Sequence, residues 1–135
     1  MNLRNTHRHT IAALLTIAAW FPASSAAQQT AAQPETVLVT YHAKPGAEAE
    51  LARVLARHWD TLRQLKLVLD APHVVVRGDE GGKTYIVEIA TWRDANIPDH
   101  APPAVLAIWE EMRKLVEPRN GRPGIDFVEV APIAP

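Results

Sequence analysis

The chain has 135 residues, enough for one domain, and 47% of them are hydrophobic, which can supply a core. It contains no cysteine, so disulfides, thiolate metal sites and lipid attachment through a cysteine are excluded. A formal net charge of −1 argues against nucleic acid as a partner.

The first 27 residues predict a secretory signal peptide. Arg4 and Arg8 give a basic start, residues 11–21 (IAALLTIAAWF) are apolar, and residues 25–27 (SAA) fit a small-residue cleavage site. An uncleaved membrane anchor is the alternative, but the apolar run is short for a bilayer. Cleavage removes two arginines and no acid, which leaves a net charge of −3. We expect a periplasmic or secreted protein with no membrane association after cleavage.

The mature chain divides into three parts. Residues 28–35 are a polar, small-residue tether that we expect to be disordered, residues 36–131 form the domain, and residues 132–135 are a tail. Within the domain, the predicted elements are strand one (36–43), helix one (47–67), strand two (73–77), a hairpin connection (78–82), strand three (83–92), a loop (93–100), a helix capped by Asp99 or His100, and strand four (125–130).

Strand three, with the sequence KTYIVEIATW, is the stretch around which the other elements are arranged. Its alternate residues form two faces, and both faces are largely apolar, which predicts that both are covered. Glu88 is the exception, because a carboxylate on a covered face needs a partner, its proton or a wet cavity. Two interpretations stay open for Glu88: a salt-bridged residue at the edge of the core, or an acid in a pocket.

The order β-α-β-β-α-β predicts an α+β, ferredoxin-like fold, with an antiparallel sheet and both helices on one face. Two helices can cover only one face of four strands. The strands nevertheless offer apolar residues on the other face as well. We therefore expect a homodimer in which the uncovered sheet faces pack together.

Three segments carry a resemblance to a known superfamily: VLVTYHAKPGAEAE, TYIVEIATWRD and HAPPAVLAIWEEM. Over residues 36–131 the chain resembles the dimeric α+β barrels, specifically the antibiotic-biosynthesis-monooxygenase-like (ABM-like) domains. The resemblance implies a barrel-shaped dimer. It is poorly specific for activity, because that fold hosts oxygenases, haem degraders, lyases and proteins with no known reaction.

The resemblance also implies a cavity between sheet and helices. The residues expected to reach it are Tyr41 or His42, His58, Glu88, Trp92, His100 and Trp109. Cofactor-free monooxygenases of the superfamily stabilise a substrate carbanion in a polar and aromatic pocket. In that interpretation Glu88, His58 or His100 supplies a catalytic base, and Trp92 stacks on a small aromatic or polyketide-like substrate.

Other functions stay open at this stage. A non-catalytic homodimer that binds a small apolar or aromatic molecule is an equal alternative, since each candidate residue can also be a packing residue. Haem binding, with Trp92 and His100 in the roles of haem-degrading relatives, is weaker, because His100 lies at a helix start and strand one has no asparagine. The histidines lack metal-ligand spacing. Serine hydrolase chemistry is excluded, because Ser24 and Ser25 leave with the signal peptide.

Overall fold

The computed structural model describes residues 33–133. The predicted signal peptide and all but the last residues of the predicted tether lie outside these described residues. The elements, in chain order, are β1 (Glu35–His42), α1 (Glu48–Gln64), β2 (Val74–Glu80), β3 (Lys83–Trp92), a 3-10 turn (Pro98–His100), α2 (Pro103–Leu115) and β4 (Ile125–Glu129). The predicted β-α-β-β-α-β order and the α+β, ferredoxin-like class are confirmed.

The four strands form one antiparallel sheet in the order β2-β3-β1-β4. β3 has the predicted bounds and is a central strand, with β1 and β2 as its neighbours. The face that carries Val37, Tyr41 and Glu88 is buried. This inner face packs against both helices, because α1 and α2 each direct a row of buried apolar side chains toward it.

The hairpin between β2 and β3 is tighter than predicted. The sequence suggested a connection over residues 78–82, but β2 continues to Glu80 and only Gly81 and Gly82 form the turn. Both glycines have positive φ, 61° and 81°, which a two-residue hairpin turn requires. The carboxylate of Asp79 also accepts a hydrogen bond from the Gly82 N–H at 2.8 Å. This turn fixes the register of β2 on β3.

Helix α1 ends three residues before its predicted end at residue 67. Lys66 adopts φ 56°, and the Leu67 N–H donates back to the Leu62 carbonyl at 2.9 Å. This left-handed C-terminal cap usually contains glycine, so a lysine there gave no stop signal in the sequence.

Helix α2 begins later than predicted. Asp99 or His100 was expected to cap it, but both belong to the separate 3-10 turn. The reason is Pro103, because a proline disfavours helical angles in the residue before it. Pro102 is therefore extended, with ψ 153°, and the helix starts after it.

The buried side chain of Arg119 holds the loop before β4 in place. The Arg119 guanidinium donates hydrogen bonds to the backbone carbonyls of Lys83, Thr84 and Ala43, at 2.8 to 3.2 Å. A charged group with 6% exposure is stable only when it is well hydrogen-bonded. Arg119 thus ties this loop to the ends of β1 and β3, and so supports the two central strands of the sheet.

Candidate functional site

A cavity of about 520 Å³ lies between the inner face of the sheet and the two helices. Its lining combines apolar and aromatic side chains with a few polar groups, which is typical of small-molecule sites. The lining residues are Glu35, Val37, Val39, Tyr41, His58, Leu62, Val68, Glu88, Ala90, Trp92, Ala95, Pro98, Asp99, Trp109, Met112, Arg113, Ile125 and Phe127. Asp99, Arg113 and Phe127 are exposed, so they mark the open side of the cavity.

A second hollow is a shallower surface depression of about 780 Å³. Its lining consists mainly of exposed charged residues at the end of α1 together with Arg93, and two of those residues, Arg63 and Asp70, already pair with each other. It has no aromatic wall. The smaller, more enclosed cavity is therefore the better candidate for a binding or reaction site.

Glu88 is the buried acid of this cavity, with 4% exposure. One carboxylate oxygen accepts a hydrogen bond from the Tyr41 hydroxyl at 3.0 Å, and the other lies 3.0 Å from His73 Nε2. The two sequence interpretations of Glu88 therefore combine in one residue, because it lines the pocket and also has a pairing partner.

His73 connects Glu88 to the surface. The His73 side chain is 21% exposed, whereas that of Glu88 is 5% exposed. The His73 ring stacks on Trp59 of α1, with ring centroids 3.5 Å apart and planes 6° from parallel. This stacking fixes the plane of the imidazole that meets the carboxylate. The buried Glu88 carboxylate thus has a neighbour that reaches solvent.

Tyr41 is a fixed hydrogen-bond donor in this arrangement. Burial, and then the neighbouring Glu88 charge, raise the pKa of Tyr41 well above its ordinary value of 10.0. The phenol therefore keeps its proton at physiological pH and can only donate to the carboxylate. Tyr41 is on β1, which pairs directly with β3, so its hydroxyl lies on the strand next to the one that carries Glu88.

His58 and Trp109 form a second polar contact in the cavity wall. The indole Nε1–H of Trp109, on α2, donates to His58 Nε2, on α1, at 2.9 Å. Burial lowers the pKa of His58 below its ordinary value of 6.5, although the charge of Glu88 opposes this shift. His58 is therefore neutral at physiological pH. Trp92 meets Trp109 edge to face, with centroids 6.4 Å apart.

Comparison with solved structures shows which proteins share this architecture. SnoaB, a cofactor-independent oxygenase from Streptomyces nogalater, matches with a TM-score of 0.58 and 21% identity over 77% of this chain and 97% of its own. A Chloroflexus aurantiacus protein described as a candidate antibiotic biosynthesis monooxygenase matches with a TM-score of 0.56 and 16% identity, over 76% and 96%. Rv0793 from Mycobacterium tuberculosis gives a TM-score of 0.56 and 15% identity, over 76% and 98%.

The chain has the ABM-like fold. The fold expected from the resemblance is thereby confirmed, and since these identities are low, they show the fold alone. No protein-family profile matches the sequence, and no curated protein matches it significantly.

Five of the predicted site residues lie together in the cavity wall: Tyr41, His58, Glu88, Trp92 and Trp109. His42 and His100 do not line the cavity. Neighbouring residues of a strand face opposite ways, so Tyr41 on the inner face places His42 on the outer face, where its ring pairs with the Pro123 carbonyl. His100 is exposed, and its Nδ1 lies 3.1 Å from the Asn96 carbonyl.

His73 and Trp59 were not predicted as site residues. The signal that could have found His73 is the two-residue turn at Gly81-Gly82, which sets Val75 directly opposite Glu88. His73 precedes Val75 by two residues, so it lies on the same face of the sheet as Glu88 and is its diagonal neighbour. Within residues 33–133, no group of three or more acidic or histidine residues could hold a metal ion. In the same span, no helix is long and apolar enough to cross a bilayer.

The lowered pKa of His58 predicts a pH-dependent stability. The unfolded chain takes up a proton at His58 near pH 6.5, whereas the folded chain does so only at a lower pH. As the pH falls below 6.5, protonation therefore stabilises the unfolded chain more than the folded one, and the free energy of unfolding decreases. We expect thermal stability to fall between about pH 7.5 and about pH 5.5, and to fall less steeply in His58→Gln.

The matched control is His100→Gln, which removes an exposed histidine and should keep the wild-type pH slope. Melting temperatures across the pH series measure the effect. Equal slopes in wild type and His58→Gln would contradict the assignment of a neutral, buried His58.

Proposed function

We propose that this protein is an exported, homodimeric ABM-like domain that oxygenates a small aromatic or polyketide-like molecule without a cofactor. The observation that carries the proposal is Glu88, a carboxylate in the wall of an apolar and aromatic cavity with a solvent-connected histidine behind it. A base in such a place can remove a proton from a carbon acid.

The chemistry needs only a substrate whose carbanion reacts with oxygen. Anthrone serves as a probe: loss of a C–H proton to Glu88 gives its enolate, which passes electrons to O₂. The overall change is anthrone plus O₂ to anthraquinone plus water, so the substrate itself is the reductant. Trp92 and Trp109 provide aromatic walls for such a ring system, and His73 can release the proton from Glu88 to solvent.

The similarity of the fold to SnoaB supports this choice of reaction class, because that protein is a cofactor-independent oxygenase. Haem is less well supported. The histidine considered as its axial ligand, His100, lies on the exposed 3-10 turn and does not line the cavity.

A non-catalytic small-molecule binder is the second candidate, and one observation favours it. Both oxygens of Glu88 already have partners in Tyr41 and His73, as in a purely structural ion pair. In that case the cavity would hold an apolar or aromatic ligand without changing it. The two candidates differ in whether a bound carbon acid consumes oxygen.

The outer face of the sheet supports the homodimer. The register aligns Val74, Ile89, Leu38 and Val128 in one apolar row across all four strands. Val74 and Val128 are about half exposed, at 46% and 50%, and Val76 beside them at 53%. An exposed, contiguous apolar face on a soluble domain is typical of a protein–protein interface. A second copy of the chain carries the same apolar row, so the two rows could pack together in a symmetric contact.

Export rests on the sequence alone. The basic start, the short apolar run and the small-residue site before residue 28 support cleavage by the general secretion route, and the domain would then act in the periplasm or outside the cell.

Oxygen uptake with anthrone tests the proposed reaction. Wild-type protein should speed oxygen uptake and anthraquinone formation above the buffer rate, with no added metal or flavin. Glu88→Gln keeps an acceptor for the Tyr41 hydroxyl but removes the base, so the rate should fall by about a hundredfold or more. Glu80→Gln is the matched control, because Glu80 is exposed at the end of β2.

Binding of anthrone with oxygen uptake at the buffer rate would exclude the oxygenase and leave the binder. An unchanged rate in Glu88→Gln would exclude Glu88 as the base.

The dimer is tested by charging its proposed interface. Ile89→Glu places a carboxylate in the centre of the outer apolar row, where a sheet-to-sheet contact would bury it unpaired. We expect the wild-type domain to measure as a dimer by light scattering and the variant as a monomer or an unfolded chain. Ala52→Glu adds the same charge on the exposed side of α1 and should remain dimeric. A monomeric wild-type protein would refute the proposed dimer.

A further inference from the structure

The register of the sheet places three cavity residues in one row across the inner face. Val39 on β1 pairs with Glu88 on β3 at one side and with Phe127 on β4 at the other. All three residues line the cavity. Because neighbouring strands lie about 4.8 Å apart, the backbone positions of Glu88 and Phe127 are separated by about 10 Å. The row Glu88, Val39 and Phe127 therefore forms one continuous floor of the cavity.

The two ends of this floor differ in their access to solvent. Glu88 is 4% exposed, whereas Phe127 is 69% exposed. Beyond Glu88, the next residue of the row is Val75 on β2, which does not line the cavity. The floor thus begins at a closed end beside the acid and finishes at an open end on Phe127.

The exposed ring of Phe127 belongs to the cavity and not to the proposed dimer interface. Phe127 shares the inner face with Val39, so a contact between the outer faces of two sheets would leave its ring uncovered. Of the large apolar side chains that are exposed within residues 33–133, only Phe127 lines the cavity; the others are Leu65, Val74, Val75, Val76, Leu106, Val128 and Ile133. A ligand that fills the cavity would lie directly against this ring.

We propose that Phe127 is a specificity-determining residue that binds the far end of the cavity ligand. The inference rests on the proposed small-molecule site and adds the length and the orientation of its ligand. The acidic carbon lies at Glu88, the body covers Val39, and the last aromatic ring packs against Phe127. The ligand is then an aromatic carbon acid whose ring system extends about 10 Å from the acidic carbon.

This arrangement predicts which molecules the site distinguishes. A two-ring molecule with its acidic carbon at Glu88 ends above Val39 and leaves Phe127 in water. A further ring on the side away from the acidic carbon reaches Phe127, and the contact removes apolar surface of both rings from water. Affinity should therefore depend on the outer ring, while the acid at the closed end stays the same.

Fluorine-19 NMR of protein labelled with 4-fluorophenylalanine tests the contact directly. The sequence has two phenylalanines, Phe21 and Phe127, and the Phe127 signal is the one that disappears in Phe127→Leu. The probes are 2-tetralone, whose acidic carbon is C1, and 6-phenyl-2-tetralone, which adds a ring on the side away from C1. Under nitrogen, which prevents their oxidation, the phenyl compound should shift the Phe127 signal and 2-tetralone should leave it nearly unchanged. A Phe127 signal that ignores bound 6-phenyl-2-tetralone would overturn the proposal.

The Kd values of the same two compounds test the energetic role of Phe127. The ratio of the Kd of 2-tetralone to that of 6-phenyl-2-tetralone isolates the outer ring, and comparison between variants removes the difference in solubility. This ratio should fall about fivefold in Phe127→Ala. Leu106→Ala is the matched control, because Leu106 is an exposed apolar residue of α2 that does not line the cavity, and it should keep the wild-type ratio.

The outcomes separate this inference from the proposed function. An equal ratio in wild type and Phe127→Ala, with both compounds bound, would overturn the role of Phe127 and leave the small-molecule site standing. Loss of the dimer in Phe127→Ala, with an unchanged ratio, would assign the ring to a protein interface instead. Failure of both compounds to bind would overturn the role of Phe127 and the small-molecule site together.

Discussion

A carboxylate buried on the covered face of the sheet is the constraint on which the rest of the site depends. Glu88 sits on β3, its Tyr41 donor on β1, and its His73 partner just before β2. A one-residue slip of either neighbouring strand would turn one of these partners to the other face and leave the acid unsatisfied. The register of three strands and the pairing of one buried acid therefore support each other.

If Glu88 served packing alone, burying its carboxylate would cost the protein stability. Replacing a buried ion pair by apolar residues of similar volume is often neutral or stabilising. The core of this domain nevertheless contains three polar side chains that contact one another: Tyr41, Glu88 and His73. Glu88 also borders a cavity large enough for a ring system. The proposed proton transfer rests on this arrangement, in which a paired acid faces an aromatic cavity and connects to solvent through His73.

The central strands carry two different apolar surfaces. Along β3, Glu88, Ala90 and Trp92 face the cavity, while Val87 and Ile89 face away from the helices. The near-continuous apolar character of this strand in the sequence reflects both surfaces. If the outer face is an interface, dimer formation also stiffens the strands that hold Glu88, so assembly and site geometry are coupled through β1 and β3.

The sequence was sufficient for the features that depend on periodicity. The alternation along β3, the three- and four-residue spacing in the helices and the glycine-rich hairpin predicted the element order and the sheet. The five residues of the cavity wall were expected from the resemblance to ABM-like domains and not from periodicity. Features that depend on a single backbone angle or rotamer were not predictable in the same way. Lys66 ends α1 in a conformation that usually signals glycine, and Pro103 removes His100 from α2.

The contacts between specific side chains could not be predicted from the hydrophobic periodicity either. Helical spacing places His58 on the buried side of α1, but it does not say that Trp109 donates to Nε2 rather than packing against the ring. Likewise, the exact turn length decides whether His73 meets Glu88. Both contacts join elements distant in the chain, so they follow from the tertiary arrangement and not from local composition.

Proton abstraction in the absence of oxygen tests the role of Glu88 most directly. Anthrone incubated with the protein in deuterated buffer under nitrogen can be followed by NMR, which measures the exchange of its acidic C–H protons for deuterium. If Glu88 is the base, exchange should be faster than in buffer for wild-type protein and should proceed at the buffer rate for Glu88→Gln. Exchange at the buffer rate with wild-type protein that has bound anthrone would contradict it.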